Sequence, residues 1–258
     1  NAGKAVKECD MVVAVMGINK TIEREGQDRY DIQLPADQRE FLQEIYKVNP
    51  NIVLVLVAGS SLAVNWENEH LPAIVNAWYP GESGGTAVAE VLFGDYNPAG
   101  RLPLTYYKSL DNLPAFDDYD VTNGRTYKYF KEEVLYPFGH GLSYTSFKYS
   151  NLKMKDAGKT LDVTFTLKNN GRYNGDEVAQ VYVKLPEYGG VAPIKELKGF
   201  KRETLKKGES KQITVSLDKS LLRYWDENKG EFVTPSGEYQ IFVGASSSDI
   251  RLNGTVQL

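Results

Sequence analysis

The chain has 258 residues, of which 41% are hydrophobic, 25% charged and 12% aromatic, so it can bury the cores of two modest domains and does not have a disordered composition. Thirty Lys and Arg against 34 Asp and Glu give a formal net charge of −4 with no basic block, which argues against nucleic acid as a partner. Cys9 stands alone and the two histidines, His70 and His140, have no partner at ligand spacing, so no disulfide, metal or cofactor is expected.

Residues 1–10 (NAGKAVKECD) read as the last turns of a helix entering a strand, with Cys9 at the edge of a buried strand. The sequence is thus expected to begin inside a fold, after processing or as one piece of a longer polypeptide. Residues 11–16 (MVVAVM) are all apolar and predict a strand buried on both faces; 52–58 (IVLVLVA) and 73–78 (AIVNAW) predict two more. The run 52–58 is the longest apolar stretch, far short of the roughly 18 residues of a membrane span. A soluble chain without a span is expected. Between the first two strands Pro35 and Asp37 open a helix carrying Phe41, Leu42, Ile45 and Val48 at helical spacing, closed by Asn49-Pro50. Residues 83–93 predict another helix, with Gly94 just past its end. Alternating strands and helices imply a parallel sheet covered on both faces, with functional loops at the carboxyl ends of its strands.

Residues 105–144 are rich in Tyr, Asp, Pro and Gly and read as an ordered connector. From about 145 the polarity alternates: 161–167 (LDVTFTL), 178–185, 212–217 and 239–244 predict short strands separated by turn-forming NNGRYNG, KKGES and TPSGE. A small β-sandwich is expected. Tyr224 and Trp225 in LLRYWD read as core or domain-interface residues rather than a sugar-stacking row.

The most charged loop directly after a strand is 17–31 (GINKTIEREGQDRYD), with Glu23, Glu25, Asp28 and Asp31 among Lys20, Arg24 and Arg29. Its position puts it on the ligand-binding rim. Glycoside hydrolysis needs carboxylates, one to protonate the leaving oxygen and one to attack or to activate water; a solvated loop laced with surface ion pairs would look the same. The run Gly81-Glu82-Ser83-Gly84-Gly85 resembles an anion-binding turn but fits neither the P-loop nor the dinucleotide fingerprint, and reads as tight packing of a helix start on the sheet. Ser60 and Ser61 in AGSSLAV lack the glycine flanks of a nucleophile elbow.

At these segments the sequence resembles glycoside hydrolase family 3. The pattern ExEGxDRxxIxLPxxQ stands as Glu23, Glu25-Gly26, Asp28-Arg29, Ile32, Leu34-Pro35 and Gln38. Residues 78–106 (WYPGESGGTAVAEVLFGDYNPAGRLPLTY) resemble the family's α/β sandwich signature, and 135–147 (LYPFGHGLSYTSF) the passage into its fibronectin type III-like domain. That domain's pattern recurs as Gly175-Asp176-Glu177-Val178, Leu197-Lys198-Gly199-Phe200 and Pro235-Ser236-Gly237-Glu238-Tyr239.

The resemblance implies a multidomain α/β plus all-β chain: an α/β sandwich with a mostly parallel sheet in 1–110, a connector in 111–146 and a fibronectin type III-like, Ig-like β-sandwich in 147–258. It implies a retaining exo-acting glycosidase whose aspartate nucleophile sits on a barrel domain, here absent and expected as a partner, with the general acid/base glutamate on the first rim loop. Counted from Gly17, Glu23 is similar to plant members; counted back from Asp28-Arg29, Glu25 fits a shorter bacterial loop. Glu23 is preferred, the other being a structural carboxylate paired with Arg24, Arg29 or Lys20. The wording of 17–29 and of 124–130 (GRTYKYF) is similar to members acting on xylosides and arabinosides, which puts β-xylosidase ahead of β-glucosidase. An oligosaccharide or glycoside is the expected substrate, a homo-oligomer a candidate assembly, and a periplasmic or secreted location is preferred to a cytoplasmic one; the competing reading is a non-catalytic carbohydrate-binding or structural fragment of such an enzyme.

Overall fold

The computed structural model describes residues 2–111 and 113–258, which divide into two compact units. The first comprises Asn1–Tyr96, Tyr106–Asn112 and Glu133–Tyr136; the second comprises Asn97–Thr105, Leu113–Glu132 and Pro137–Leu258. The residues expected as a connector are thus shared between the two.

In the first unit helix α1 (Ala2–Glu8) leads into strand β1 (Val12–Gly17), followed by α2 (Ala36–Val48), β2 (Ile52–Val57), α3 (Asn65–His70), β3 (Ala73–Asn76) and α4 (Gly84–Phe93). The three strands form a parallel sheet in the order β1-β2-β3, with Ala14 opposite Leu54 and Leu54 opposite Ile74. The central strand β2 is buried, as its unbroken apolar run requires. Helix α2 starts at the Pro35 cap and turns Leu42 and Ile45 into a core shared with Ala14, Leu54 and Leu56. Phe41 and Val48, expected on the same face, are exposed, being rotated off that stripe.

Three expectations are corrected here. Residues 11–16 are not buried on both faces: Val13 and Val15 of β1, at the sheet edge, are 45% and 62% exposed, while their register partners Val53 and Val55 of β2 are buried. Cys9 is exposed ahead of β1, its thiol 3.3 Å from the Val6 carbonyl. Gly84 does open α4 tightly, but against its own turn: a Cβ there would lie 2.5 Å from the Pro80 ring.

The second unit carries β4 (Phe147–Asp156), β5 (Thr160–Asn169), β6 (Gly175–Lys184), β7 (Glu196–Leu205), β8 (Ser210–Asp218), β9 (Tyr224–Asp226), β10 (Glu231–Val233), β11 (Glu238–Gly244) and β12 (Ile250–Gln257). A four-stranded sheet β12-β11-β6-β7 and a three-stranded sheet β4-β5-β8 supply its core, and β9 pairs with β10. The alternation in β5 turns Leu161, Val163, Phe165 and Leu167 inward against Val181, Val183, Ile213 and Ile241. Every strand pair of this unit is antiparallel among the described residues. The expectation of a mostly parallel sheet therefore fails: the described residues are mostly sheet with few helices and include one parallel sheet. Parallel pairs need crossover connections, and the chain provides them only around α2 and α3; later strands are joined by turns that return antiparallel. Trp225 is not a core residue: 51% exposed, it meets Phe232 edge-on at 5.2 Å across the β9–β10 pair, while Tyr224 stacks on Tyr188 at 3.8 Å. No helix among the described residues is long and apolar enough to cross a membrane.

Candidate active site

Strand β1 ends at Gly17, where φ is 152° and an added Cβ would lie 1.8 Å from the Val57 carbonyl oxygen, so only glycine fits. The Gln38 side chain holds this point from both sides, its Oε1 accepting from Gly17 N and its Nε2 donating to Gly17 O, each at 2.9 Å. The loop that follows is ordered by its own polar groups. Asn19 Oδ1 accepts from the Thr21 amide at 2.9 Å and the Thr21 hydroxyl at 2.6 Å, and the Asn19 carbonyl accepts from the amides of Ile22 and Glu23. Arg24 and Gln27 then exchange backbone hydrogen bonds of 3.1 and 2.9 Å around Glu25-Gly26, with Gly26 at φ 74°, so Glu25 sits at the tip of a tight turn.

The two candidate glutamates fall in different surroundings. Glu23 Oε2 accepts from Arg29 Nε and, at 2.8 Å, from the Ser60 hydroxyl. Arg29 Nη2 donates to Ser60 Oγ at 2.9 Å and to the Ser61 carbonyl at 3.1 Å. Glu25 is exposed on the turn. Asp28 and Arg24 are also exposed, and Asp31 Oδ1 caps the Gln33 amide at 2.8 Å. The loop leaves through Ile32, whose carbonyl accepts from Ala63 N at 2.7 Å, so it is fastened to the loop after β2 at both its middle and its end.

The loop after β3 completes the rim. Trp78 adopts φ 54°, and the Tyr79 hydroxyl donates to the Ile18 carbonyl at 3.3 Å. Gly59 makes room for that ring, since a Cβ there would lie 2.6 Å from Tyr79 Cε2. The rim is thus three strand-end loops of one parallel sheet. Ser60 and Ser61, which lack a nucleophile's setting, appear as partners of Arg29; nothing local in AGSSLAV signals that role. Gln38 was visible only as the last letter of the loop pattern.

Other polar groups lie off the rim. His70 stacks on Trp66 at 4.6 Å with Nδ1 2.8 Å from the Trp66 carbonyl, and burial pushes the His140 imidazole below its ordinary value. The two histidines belong to different units. Among the described residues no group of three or more His, Cys, Asp or Glu is arranged to hold a metal. Glu67 of α3 is buried with Oε1 lacking a hydrogen-bond partner, and burial raises its carboxyl above the usual range. The Tyr136 phenol is pushed up to about 12 by burial and then by the charge of Glu67.

Residues 1–144 match the model of the glycosyl hydrolase family 3 C-terminal domain, and residues 177–247 that of a fibronectin type III-like domain. A xylan 1,4-β-xylosidase of Xylanibacter ruminicola is 43% identical over 227 residues, covering 87% of this chain and 26% of the relative. A periplasmic β-glucosidase of Salmonella typhimurium is 34% identical over 268 residues, covering 97% of this chain and 34% of the relative. The crystal structure of a β-glucosidase from Bifidobacterium adolescentis superposes with a TM-score of 0.94 at 34% identity, over 100% of this chain and 40% of that one. The chain spans about a quarter to a third of the length of the curated relatives it matches.

Proposed function

The chain belongs to glycosyl hydrolase family 3, and on that premise we propose that it is the C-terminal portion of a retaining, exo-acting β-glycosidase that removes terminal β-D-xylosyl or β-D-glucosyl residues. Its part in the reaction is the general acid/base; the aspartate nucleophile belongs to a barrel domain outside these 258 residues. Residues 1–110 carry the catalytic loop and 147–258 form a structural module. β-Xylosidase ranks ahead of β-glucosidase on the 43% identity to the xylosidase, and a periplasmic or secreted setting suits a polysaccharide-degrading enzyme.

The observation that carries the assignment is the contrast between the two glutamates. An acid/base must reach the glycosidic oxygen to give it a proton in the first half of the cycle and reach the attacking water to take one in the second. Glu23 could do so only through Oε1, with Oε2 held by a guanidinium and a hydroxyl, whereas Glu25, on an exposed turn, is held by neither. We therefore assign the role to Glu25, reversing the preference that counting from Gly17 suggested. The loop's acid enters twice: it protonates the leaving oxygen while the nucleophile attacks the anomeric carbon, then as carboxylate it deprotonates the water that releases the sugar.

The test uses the enzyme with its barrel. Glu25→Ala should slow hydrolysis of xylobiose severely and that of dinitrophenyl β-xyloside much less in the first half-reaction, and azide should restore turnover and yield the β-glycosyl azide. If Glu23→Ala behaves so and Glu25→Ala does not, the assignment moves to Glu23.

A further inference from the structure

We propose that Arg29 is the positioning residue of the acid/base step: it ties both arms of the Glu25 turn to each other and to the neighbouring strand-end loop, and so sets where the tip carboxylate stands. This role rests on Glu25 being the acid/base. Glu23 and Arg29 lie on either side of the turn closed by Arg24 and Gln27. Arg29 Nε pairs with Glu23 Oε2, joining the arms at their base. Ser60 accepts from Arg29 Nη2 and donates to Glu23 Oε2, making a closed ring of three side chains. Arg29 Nη2 also reaches the Ser61 carbonyl, so one guanidinium fastens the loop after β1 to the loop after β2.

The ring is costly to bury. The Arg29 side chain is only 11% exposed, and its Nη1 is buried with no hydrogen-bond partner. Buried ion pairs return little net stability once desolvation is counted, and an unpartnered donor lowers that return further. What they do supply is a single geometry. Without Arg29 the loop's ends stay held by Asn19, by Tyr79 on Ile18 and by Ala63 on Ile32, but the single Ser60–Glu23 hydrogen bond would be left to fix the base of the turn against the neighbouring loop. A misplacement of about 1 Å in a reacting group costs on the order of 10²-fold in rate. Arg29 makes its contacts through Nε and Nη2 in a planar fork that a lysine ammonium cannot copy, so Lys should replace it only partly.

The test compares Arg29→Met, Arg29→Lys, Ser60→Ala and Glu25→Ala in the enzyme with its barrel, with competent sites counted by trapping the nucleophile with a dinitrophenyl 2-deoxy-2-fluoro-β-glycoside. Per trapped site, Arg29→Met should lose about 10²-fold in kcat/KM on xylobiose and only a few-fold on the dinitrophenyl xyloside, because only the first needs a proton. Arg29→Lys should recover part of the loss, and Ser60→Ala should show a weaker version of it. Equal losses on both substrates per site, or no loss, would overturn the positioning role. If Glu25→Ala itself lacks the leaving-group dependence, the acid/base assignment has failed and this inference with it; if Glu25→Ala has it and Arg29→Met does not, only the inference falls.

Discussion

Arg101 Nη2 lies 2.8 Å from Glu177 Oε1 with their side chains only 9% and 6% exposed, a buried ion pair that ties the Gly-Arg-Leu-Pro segment to the first residues of β6. Glu177 Oε1 also accepts from the Val178 amide at 2.8 Å, while Arg101 Nε is buried without a partner. The segment is held there further by Asn97, whose Nδ2 donates to the Asn174 carbonyl and whose Oδ1 accepts from Ser143 and the Tyr144 amide.

Breaking that pair from one side should be costly. Glu177→Ala leaves the guanidinium buried and uncompensated, and should lose about 3–5 kcal/mol. Arg101→Met combined with Glu177→Leu removes both charges and should lie closer to the parent than either single change. Urea denaturation of the three variants checks this; a double variant that loses the sum of the singles would contradict it.

Gly17 joins β1 to the charged loop that follows it, and Gly17→Ala should destabilise the first unit by more than about 3 kcal/mol. Its φ of 152° disfavours an L side chain, and the added carbon would lie 1.8 Å from the Val57 carbonyl oxygen, which accepts from the Ile18 amide. Tryptophan fluorescence from Trp66 and Trp78 during urea unfolding should show the midpoint shift. An unchanged midpoint would mean that β1 and β2 separate more easily than their pairing suggests.

Glu67 should make stability depend on pH. Burial raises its carboxyl above the 4.5 of an ordinary glutamate, so the folded chain keeps a proton that the unfolded chain has already released. Its contribution to stability is then present below 4.5 and is lost as the pH rises through the higher folded value. Glu67→Gln removes that titration. The variant should match the parent near pH 4 and exceed it near pH 7 in denaturation midpoint, and a difference independent of pH would show that Glu67 does not titrate in this way.

The 258-residue chain by itself should be catalytically silent, since a retaining enzyme needs a nucleophile carboxylate roughly 5–5.5 Å from the acid and across the sugar ring. Within the loop Glu23 is committed to Arg29, and Glu25 cannot serve both faces. Hydrolysis of aryl β-xylosides and β-glucosides by the purified chain should stay at background and rise when the barrel domain is added in trans. Sustained turnover abolished by a substitution within this chain would refute it.

The sequence by itself determined the elements whose physics is local. The unbroken apolar run of β2, the alternation of β5 and the Pro35 start of α2 each depend on neighbours a few residues away, and each forms where its pattern predicts. The same local patterns also located the charged loop after β1 and its two glutamates. Tertiary structure decided everything that depends on partners distant in the chain. The apolar run in β1 reads the same whether one face is covered or two, and only the fold shows Val13 and Val15 exposed on this edge strand. Helix α3, six residues with one buried side chain in its interior, has too short a pattern to register. Glu23 and Glu25 are chemically identical and two residues apart. Their difference arises from Ser60, 37 residues beyond Glu23, because folding the parallel sheet brings two strand-end loops together and spends one carboxylate on the Arg29 ion pair while leaving the other at the tip.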